Sequence, residues 1–315
     1  MTRAGAVLAV VLCELAFTAS PSLGSEVEPI DLIELAAETD RLCEASFVEM
    51  MARERRLIEV STRVRRAAVP LCGDKLAPVL GLQIISDRDL PREFLNPAIR
   101  AFRLRDGALV ASVLDGSAAA RAGIRVGDTV VSIDGYEIET NWDVQTRRAP
   151  AGASSLRFVI ERAGERVELD VPYEPGCYYQ PFLALSASWN AYASGYQRSI
   201  VVFSELVRAS ETDDELAMVI GHELGHILLG HDRSKPSFEA DADYFGTYAA
   251  ALAGYDPAAG AGIWARFARN KVGSLVSYGS HPTAPSRTLA LSRAVEEIAA
   301  KRAAGAKLEP EGLRR

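Results

Sequence analysis

The residues of this chain best suited to chemistry are His222-Glu223-Leu224-Gly225-His226. Two imidazoles four residues apart on a helix project from one face and can grip a single ion. Glu223 then lies beside the ion, where a carboxylate suits a general base acting on a water that the ion activates. Short patterns of this kind also arise by chance on surface helices, so the surrounding residues decide. Downstream, Glu239-Ala240-Asp241-Ala242-Asp243 follows a break at Ser234-Lys235-Pro236-Ser237. With Ser237 capping a second helix, Glu239 falls in its first turn as a third ligand, and Asp243 follows on the same face, placed to hydrogen-bond a ligand histidine. Two histidines and one glutamate leave a fourth position open, as a catalytic zinc site requires, so one Zn2+ per chain is the expected cofactor. The same acids read alternatively as a solvated helix start that complements the helix dipole. Of the four histidines, His231 falls away from the ligand-bearing face and reads as a surface or helix-terminal residue. The fourth, His281, precedes Pro282, which favours extended backbone and suits a loop that presents a side chain to a cleft.

These residues need packed elements to hold them. The first helix begins at Thr212, where Thr212 and Glu215 have capping-box spacing, and runs to about His231. Gly221 and Gly225 each cost about 1 kcal/mol relative to Ala inside a helix, which predicts the close approach of another backbone. A strand-like run, Ser199 to Phe203, precedes it. Near the N-terminus, apolar residues from Leu32 to Val64 recur at three- and four-residue spacing, predicting one long amphipathic helix or a hairpin of two. Its expected role is packing on the rest of the chain, with an oligomer seam as the alternative. From Gly73 to Tyr173 the texture changes to short strand-like runs separated by turns such as Asp106-Gly107, Asp115-Gly116 and Asp134-Gly135.

The segment Val110-Ala-Ser-Val-Leu-Asp-Gly-Ser-Ala-Ala-Ala-Arg-Ala-Gly-Ile-Arg-Val-Gly-Asp-Thr-Val-Val-Ser-Ile-Asp-Gly135 resembles the central signature of PDZ domains of the bacterial, permuted kind. The resemblance implies a β-rich module in which an extended peptide adds to a sheet edge, with backbone amides near Leu80-Gly81-Leu82 receiving its terminal carboxylate. The ends of such a module lie close together, and Cys72 and Cys177 flank it, so the resemblance implies that these two form a disulfide. Cys43 would then be free or bridge to another chain.

Residues from about Asn190 to Leu291 resemble the HtpX-like and CAAX-prenyl-protease-like zinc metallopeptidases of family forty-eight. The matching pieces are Asn190-Ala191-Tyr192-Ala193, Asp214 to His226, Glu239 to Asp243, and His281-Pro282 with Arg287. The resemblance implies zinc on His222, His226 and Glu239, with Glu223 as the catalytic base. It places Asp243 and Arg287 behind the ligands and Asn190, Ala191, Tyr192 and Ala193 along the cleft as a substrate-binding strand. It also makes His281 face the metal, either stabilising the oxyanion or filling the open coordination position, with Tyr278 as the other oxyanion candidate. The His226 to Glu239 interval is short and the membrane helices of the HtpX type are absent, which implies a soluble, exported branch.

Arg3, the apolar run Ala4 to Cys13 and small residues before Ser20 and Gly24 read as an export signal, with a periplasmic or secreted product. An uncleaved membrane anchor is the alternative, in which Glu14 is costly. The formal net charge of -7 lacks the basic footprint of nucleic-acid binding. The expected architecture is α+β: a signal over 1–24, a helical segment over 25–72, a PDZ domain over 73–175, a mainly helical zincin-type domain with a small sheet over 176–300, and a polar tail over 301–315. The expected activity is endopeptidase action on polypeptides in envelope quality control. A chaperone or adaptor that keeps the fold with little proteolysis is the alternative.

Overall fold

The computed structural model describes residues 31–148, 152–231, 236–270, 275 and 282–313. The expected signal, Tyr278 and His281 lie outside the described residues. Residues 1–40 form one unit and residues 41–315 another.

The apolar periodicity near the N-terminus resolves into a single helix, α1 (Leu32–Ala67), with Glu34 in its first turn and Arg65 and Arg66 in its last, as the helix dipole favours. From Phe47 onward its apolar stripe is buried, and it serves two cores in turn. Phe47, Met50 and Met51 pack with Ile85, Leu104 and Leu109. Leu57, Val60 and Val64 belong to a different cluster that contains Leu216, Ile220 and Leu224. Each of these fully buried aliphatic side chains contributes about 1.5–3 kcal/mol of transfer free energy.

After the strand β1 (Leu76–Pro78) the chain forms the β-rich module. Its elements are β2 (Leu82–Ile85), α2 (Arg92–Phe102), β3 (Ala108–Val113), α3 (Ala118–Arg121), β4 (Thr129–Ile133), β5 (Tyr136–Glu137), α4 (Asn141–Thr146), β6 (Ser155–Arg162) and β7 (Glu165–Pro172). The strands order as β2-β3-β4-β6-β7, with β5 folded back on β4. Asp134 and Gly135 link Ile133 to its partner Tyr136 with φ of 49° and 79°. That is the two-residue hairpin turn whose positive φ values Asp-Gly accommodates. Leu82, Ile84, Val110, Val130, Phe158 and Ile160 fill the core between the sheet and its helices.

The module closes at a neck. Strand β8 (Pro175–Cys177) runs antiparallel to β1, with Leu76 opposite Cys177. Cys72 and Cys177 are joined as a disulfide with their Cα atoms 5.6 Å apart. Cys43 is a free thiol on α1. The buried Arg65 of α1 ties the neck together, donating to the carbonyls of Cys177 (3.1 Å) and Pro78 (2.9 Å) and to Oε1 of Gln180 (3.1 Å).

The rest of the chain builds β9 (Gln180–Ala184), β10 (Ala191–Ser194) and β11 (Ser199–Phe203), ordered β10-β11-β9 with β9 and β11 parallel. Around this small sheet lie α5 (Ser204–Ala209), α6 (Asp213–Leu229), α7 (Pro236–Leu252), α8 (Pro257–Gly260), α9 (Gly262–Asn270) and α10 (Ala284–Ala303). Helix α10 buries Leu291, Ala294 and Ile298 and continues for one turn past residue 301, the expected start of the tail, ending at Ala303. Ser237, expected as a cap, is instead the second residue of α7. Pro236 opens that helix, its fixed φ suiting the first turn.

Candidate metal centre

Helix α6 starts where the Thr212 hydroxyl accepts the Glu215 N–H at 3.2 Å. The buried Glu215 side chain accepts the Glu211 N–H at 2.7 Å and an Arg266 N–H at 2.6 Å. The helix stops at Gly230, whose φ of 71° is the left-handed conformation of a C-terminal cap. Gly221 and Gly225 have the reason their cost demanded. A Cβ on Gly221 would stand 2.8 Å from the Gly246 oxygen, and one on Gly225 would stand 3.0 Å from the Ala242 Cα. Helices α6 and α7 therefore cross backbone to backbone, and that crossing sets Glu239 and Asp243 against the two histidines.

His222, His226 and Glu239 each offer one atom to a common point, all within 4.8 Å of one another. The two Nε2 atoms are 3.1 Å apart, and Glu239 oxygens lie 3.4 Å from His222 Nε2 and 3.7 Å from His226 Nε2. Ligands about 2.0–2.2 Å from a tetrahedral ion stand roughly 3.3–3.6 Å from each other, so the set fits zinc and leaves one position open. The chemistry fits as well: a carboxylate 3% exposed and an imidazole 5% exposed share this point, a costly burial that an ion would offset.

Behind the ligands, His222 Nδ1 lies 2.8 Å from Asp243 Oδ1. With Nδ1–H donating to Asp243, Nε2 presents its lone pair to the metal position. Arg287 of α10 completes the support, donating from Nε to Oδ2 of Asp243 at 2.7 Å and from Nη2 to Oδ1 at 2.5 Å. Burial alone would raise the Asp243 pKa, but the Arg287 charge and the His222 hydrogen bond outweigh it and hold the carboxyl well below the usual range. Burial would likewise lower His222, yet its bonds to Asp243 and Glu239 win and push it up to about 9. His226 is lowered to about 4 by burial first and then by the charge of His222.

Glu223 is buried beside the ligands. Burial raises its carboxyl, while the charge of His222 and a backbone hydrogen bond from Ala193 pull the other way. That bond ties Glu223 to β10, the end strand of the small sheet, on which Asn190, Ala191, Tyr192 and Ala193 all lie at or near the edge. The carbonyl of Asn190 accepts the Phe203 N–H at 3.0 Å, anchoring the strand's start. Tyr192 is half exposed.

His231 stands at the end of α6 and outside the three-residue set, as expected of a helix-terminal residue, yet it contacts one member of that set. The cap at Gly230 turns the chain back so that His231 Nδ1 sits 3.0 Å from His226 Nδ1 and the ring stacks on Phe238 at 4.2 Å. It meets Nδ1 of His226 as Asp243 meets Nδ1 of His222, and the left-handed cap, invisible to helical periodicity, is what puts it there.

Family models match two stretches of the chain: Peptidase family M48 over residues 150–238 and PDZ domain over residues 78–172. The first stretch contains His222, Glu223 and His226 and stops one residue before Glu239. Among curated proteins, the chain is similar to "Putative zinc metalloprotease BR1156/BS1330_I1152" of Brucella suis biovar 1, 43% identical over 61 residues, 19% of this chain and 16% of that protein. It is similar also to "Putative zinc metalloprotease Atu1380" of Agrobacterium fabrum, 40% identical over 67 residues, 21% of this chain and 17% of that protein. The matches thus span about a sixth of the length of these relatives. Among solved structures, the HtrA3 PDZ domain bound to a phage-derived ligand is 18% identical at a TM-score of 0.26, covering 32% of this chain and 88% of that one. The HtrA-type protease AlgW with decapeptide is 24% identical at a TM-score of 0.27, covering 35% of this chain and 32% of that one. The chain therefore carries, beside a PDZ domain, a stretch that matches peptidase family M48, and the ion its candidate ligand set suits is zinc.

Proposed function

We propose that this chain is a zinc-dependent endopeptidase that acts on polypeptides in the cell envelope as part of protein quality control, with His222, His226 and Glu239 as zinc ligands and Glu223 as base. The observation that carries the reading is the pairing of a three-ligand point with a buried glutamate that is itself hydrogen-bonded to the edge strand. When bound, zinc supplies a Lewis acid that polarises a peptide carbonyl and acidifies water. Glu223 takes the proton from the attacking water and returns it to the leaving amine. Strand β10 gives an extended substrate a backbone to pair with, which holds the scissile bond in register with Glu223. Asp243, braced by Arg287, keeps His222 in the tautomer that can bind the ion.

The PDZ domain supports a polypeptide partner, and the apolar N-terminal run supports export, which would bring the protein to envelope substrates. His281 is proposed to face the metal position as oxyanion partner or plug. The test is cleavage of unfolded envelope proteins by the purified chain, with and without zinc, alongside Glu223→Gln. The variant should keep zinc and lose turnover. Wild-type turnover by Glu223→Gln would remove the base assignment, and a zinc-loaded wild type that cleaves nothing but holds unfolded chains in solution would favour the chaperone reading.

A further inference from the structure

We infer that Trp264 is a positioning residue for the metal centre, an inference that rests on the zinc reading above. Helix α9 carries this indole, 8% exposed, against both α6 and α10. The Arg287 guanidinium stacks over it with Cζ 3.6 Å from the ring centroid. Other arginines over aromatic rings among the described residues stand 4.2 to 5.5 Å away. The ring of the ligand His222 lies 5.5 Å from the same indole at 62°.

These contacts close a circuit. Arg287 holds Asp243, Asp243 holds His222, and Trp264 touches the first and last members of that series. As an open chain, Arg287, Asp243 and His222 would be free to swing at both ends. One aromatic wall against the guanidinium and the imidazole removes that freedom, and the planar stack aims the guanidinium's in-plane N–H groups at Asp243. The choice of tryptophan argues the same way. Its buried Nε1 has no hydrogen-bond partner among the described residues, a cost that phenylalanine would avoid. The indole face offsets this, being the strongest cation-binding face among the aromatic side chains.

The experiment compares the full chain with Trp264→Phe and Trp264→Leu, each stripped of metal and titrated with Zn2+ against a chromophoric chelator. Each is then loaded with Co2+ for its d–d absorption spectrum, which reads ligand geometry, and the melting temperature of the metal-free protein separates lost fold stability from lost metal grip. Trp264→Leu should bind zinc about tenfold more weakly, in the range seen when an outer partner of a ligand is removed. Trp264→Phe should fall between the two, on the order of threefold weaker, because a smaller aromatic face holds the cation less well. Both should shift the cobalt spectrum. If Trp264→Leu does not fold, Trp264→Phe carries the test. Wild-type zinc affinity with an unshifted cobalt spectrum in a folded variant would overturn the inference. A wild-type chain that binds no zinc would overturn the metal reading itself, which is a separate result.

Discussion

Gly246→Ala sets two physical effects against each other, and the structure decides between them. Alanine is worth about 1 kcal/mol more than glycine inside a helix, so propensity alone predicts a more stable protein. The Cβ it adds, however, would stand 2.6 Å from the His222 nitrogen and 2.9 Å from the Gly221 carbonyl carbon, both backbone atoms that cannot rotate away. Ordinary contact begins at 3.4 Å, so α6 and α7 must part by about 0.8 Å. Overpacking of that kind costs about 1–3 kcal/mol, enough to cancel the gain and leave a net loss of up to about 2 kcal/mol. At about 2–4 °C per kcal/mol for a domain of this size, the melting temperature should fall by several degrees. The larger effect is on metal, because His222 rides on α6 while Glu239 and Asp243 ride on α7. A site that tolerates about 0.2 Å in ligand position should lose at least about tenfold in zinc affinity. Scanning calorimetry and chelator competition on the purified variant measure both. A Gly246→Ala protein that melts higher and binds zinc within twofold of wild type would refute the claim that backbone contact between these helices sets the ligand geometry.

Asp243→Asn removes the charge that Arg287 and His222 share, and zinc affinity should drop about 10–100-fold while the ligands stay in place; chelator competition within twofold of wild type would contradict it. Glu54, on α1, accepts a hydrogen bond from Gln83 at 2.9 Å, and burial raises its carboxyl to about 7 in spite of that bond. The folded state thus keeps a proton that the unfolded chain has lost, so this contribution to stability is present below about pH 4.5 and disappears as pH rises to about 7. Glu54→Gln should therefore stabilise by about 1–2 kcal/mol at pH 8, after discounting for the part of the side chain that meets water, and by less at pH 5; denaturant midpoints at the two pH values check it. Replacing Cys72 and Cys177 together by serine frees a loop of 105 residues, which should cost about 4–5 kcal/mol through the entropy of the unfolded chain, measured as a lowered denaturant midpoint.

The sequence was most legible where chemistry and backbone geometry restrict the choice of residue. His222 and His226 announced themselves through helical spacing, Gly221 and Gly225 through a cost that only a close crossing explains, and Asp134-Gly135 through a turn that needs two positive φ values. The periodicity of α1 said that one face is apolar, but periodicity carries no record of the partner, so the division of that face between two cores had to be seen. Strand β1 is short and ends in proline, which hides it from any strand pattern. Serine and proline both signal a helix start, and here Pro236 takes the first position of α7 and Ser237 the second. His231 reaches His226 through a left-handed cap, and Trp264 reaches His222 across 41 intervening positions, with no motif in either case to mark the contact.

The shared helix has a consequence for how the protein can be taken apart. Because α1 lends Phe47, Met50 and Met51 to the PDZ side and Leu57, Val60 and Val64 to the metal-bearing side, neither module owns its own lid. Cutting out residues 76–177 and splicing the neck would leave a sticky stripe of aromatic and sulfur side chains where the PDZ sheet had been, and such a trimmed protein should clump rather than stand on its own. Melting should follow the same rule. Both halves are sewn to one rod and riveted at Arg65, so heat should release them in a single step, with one calorimetric peak in place of two.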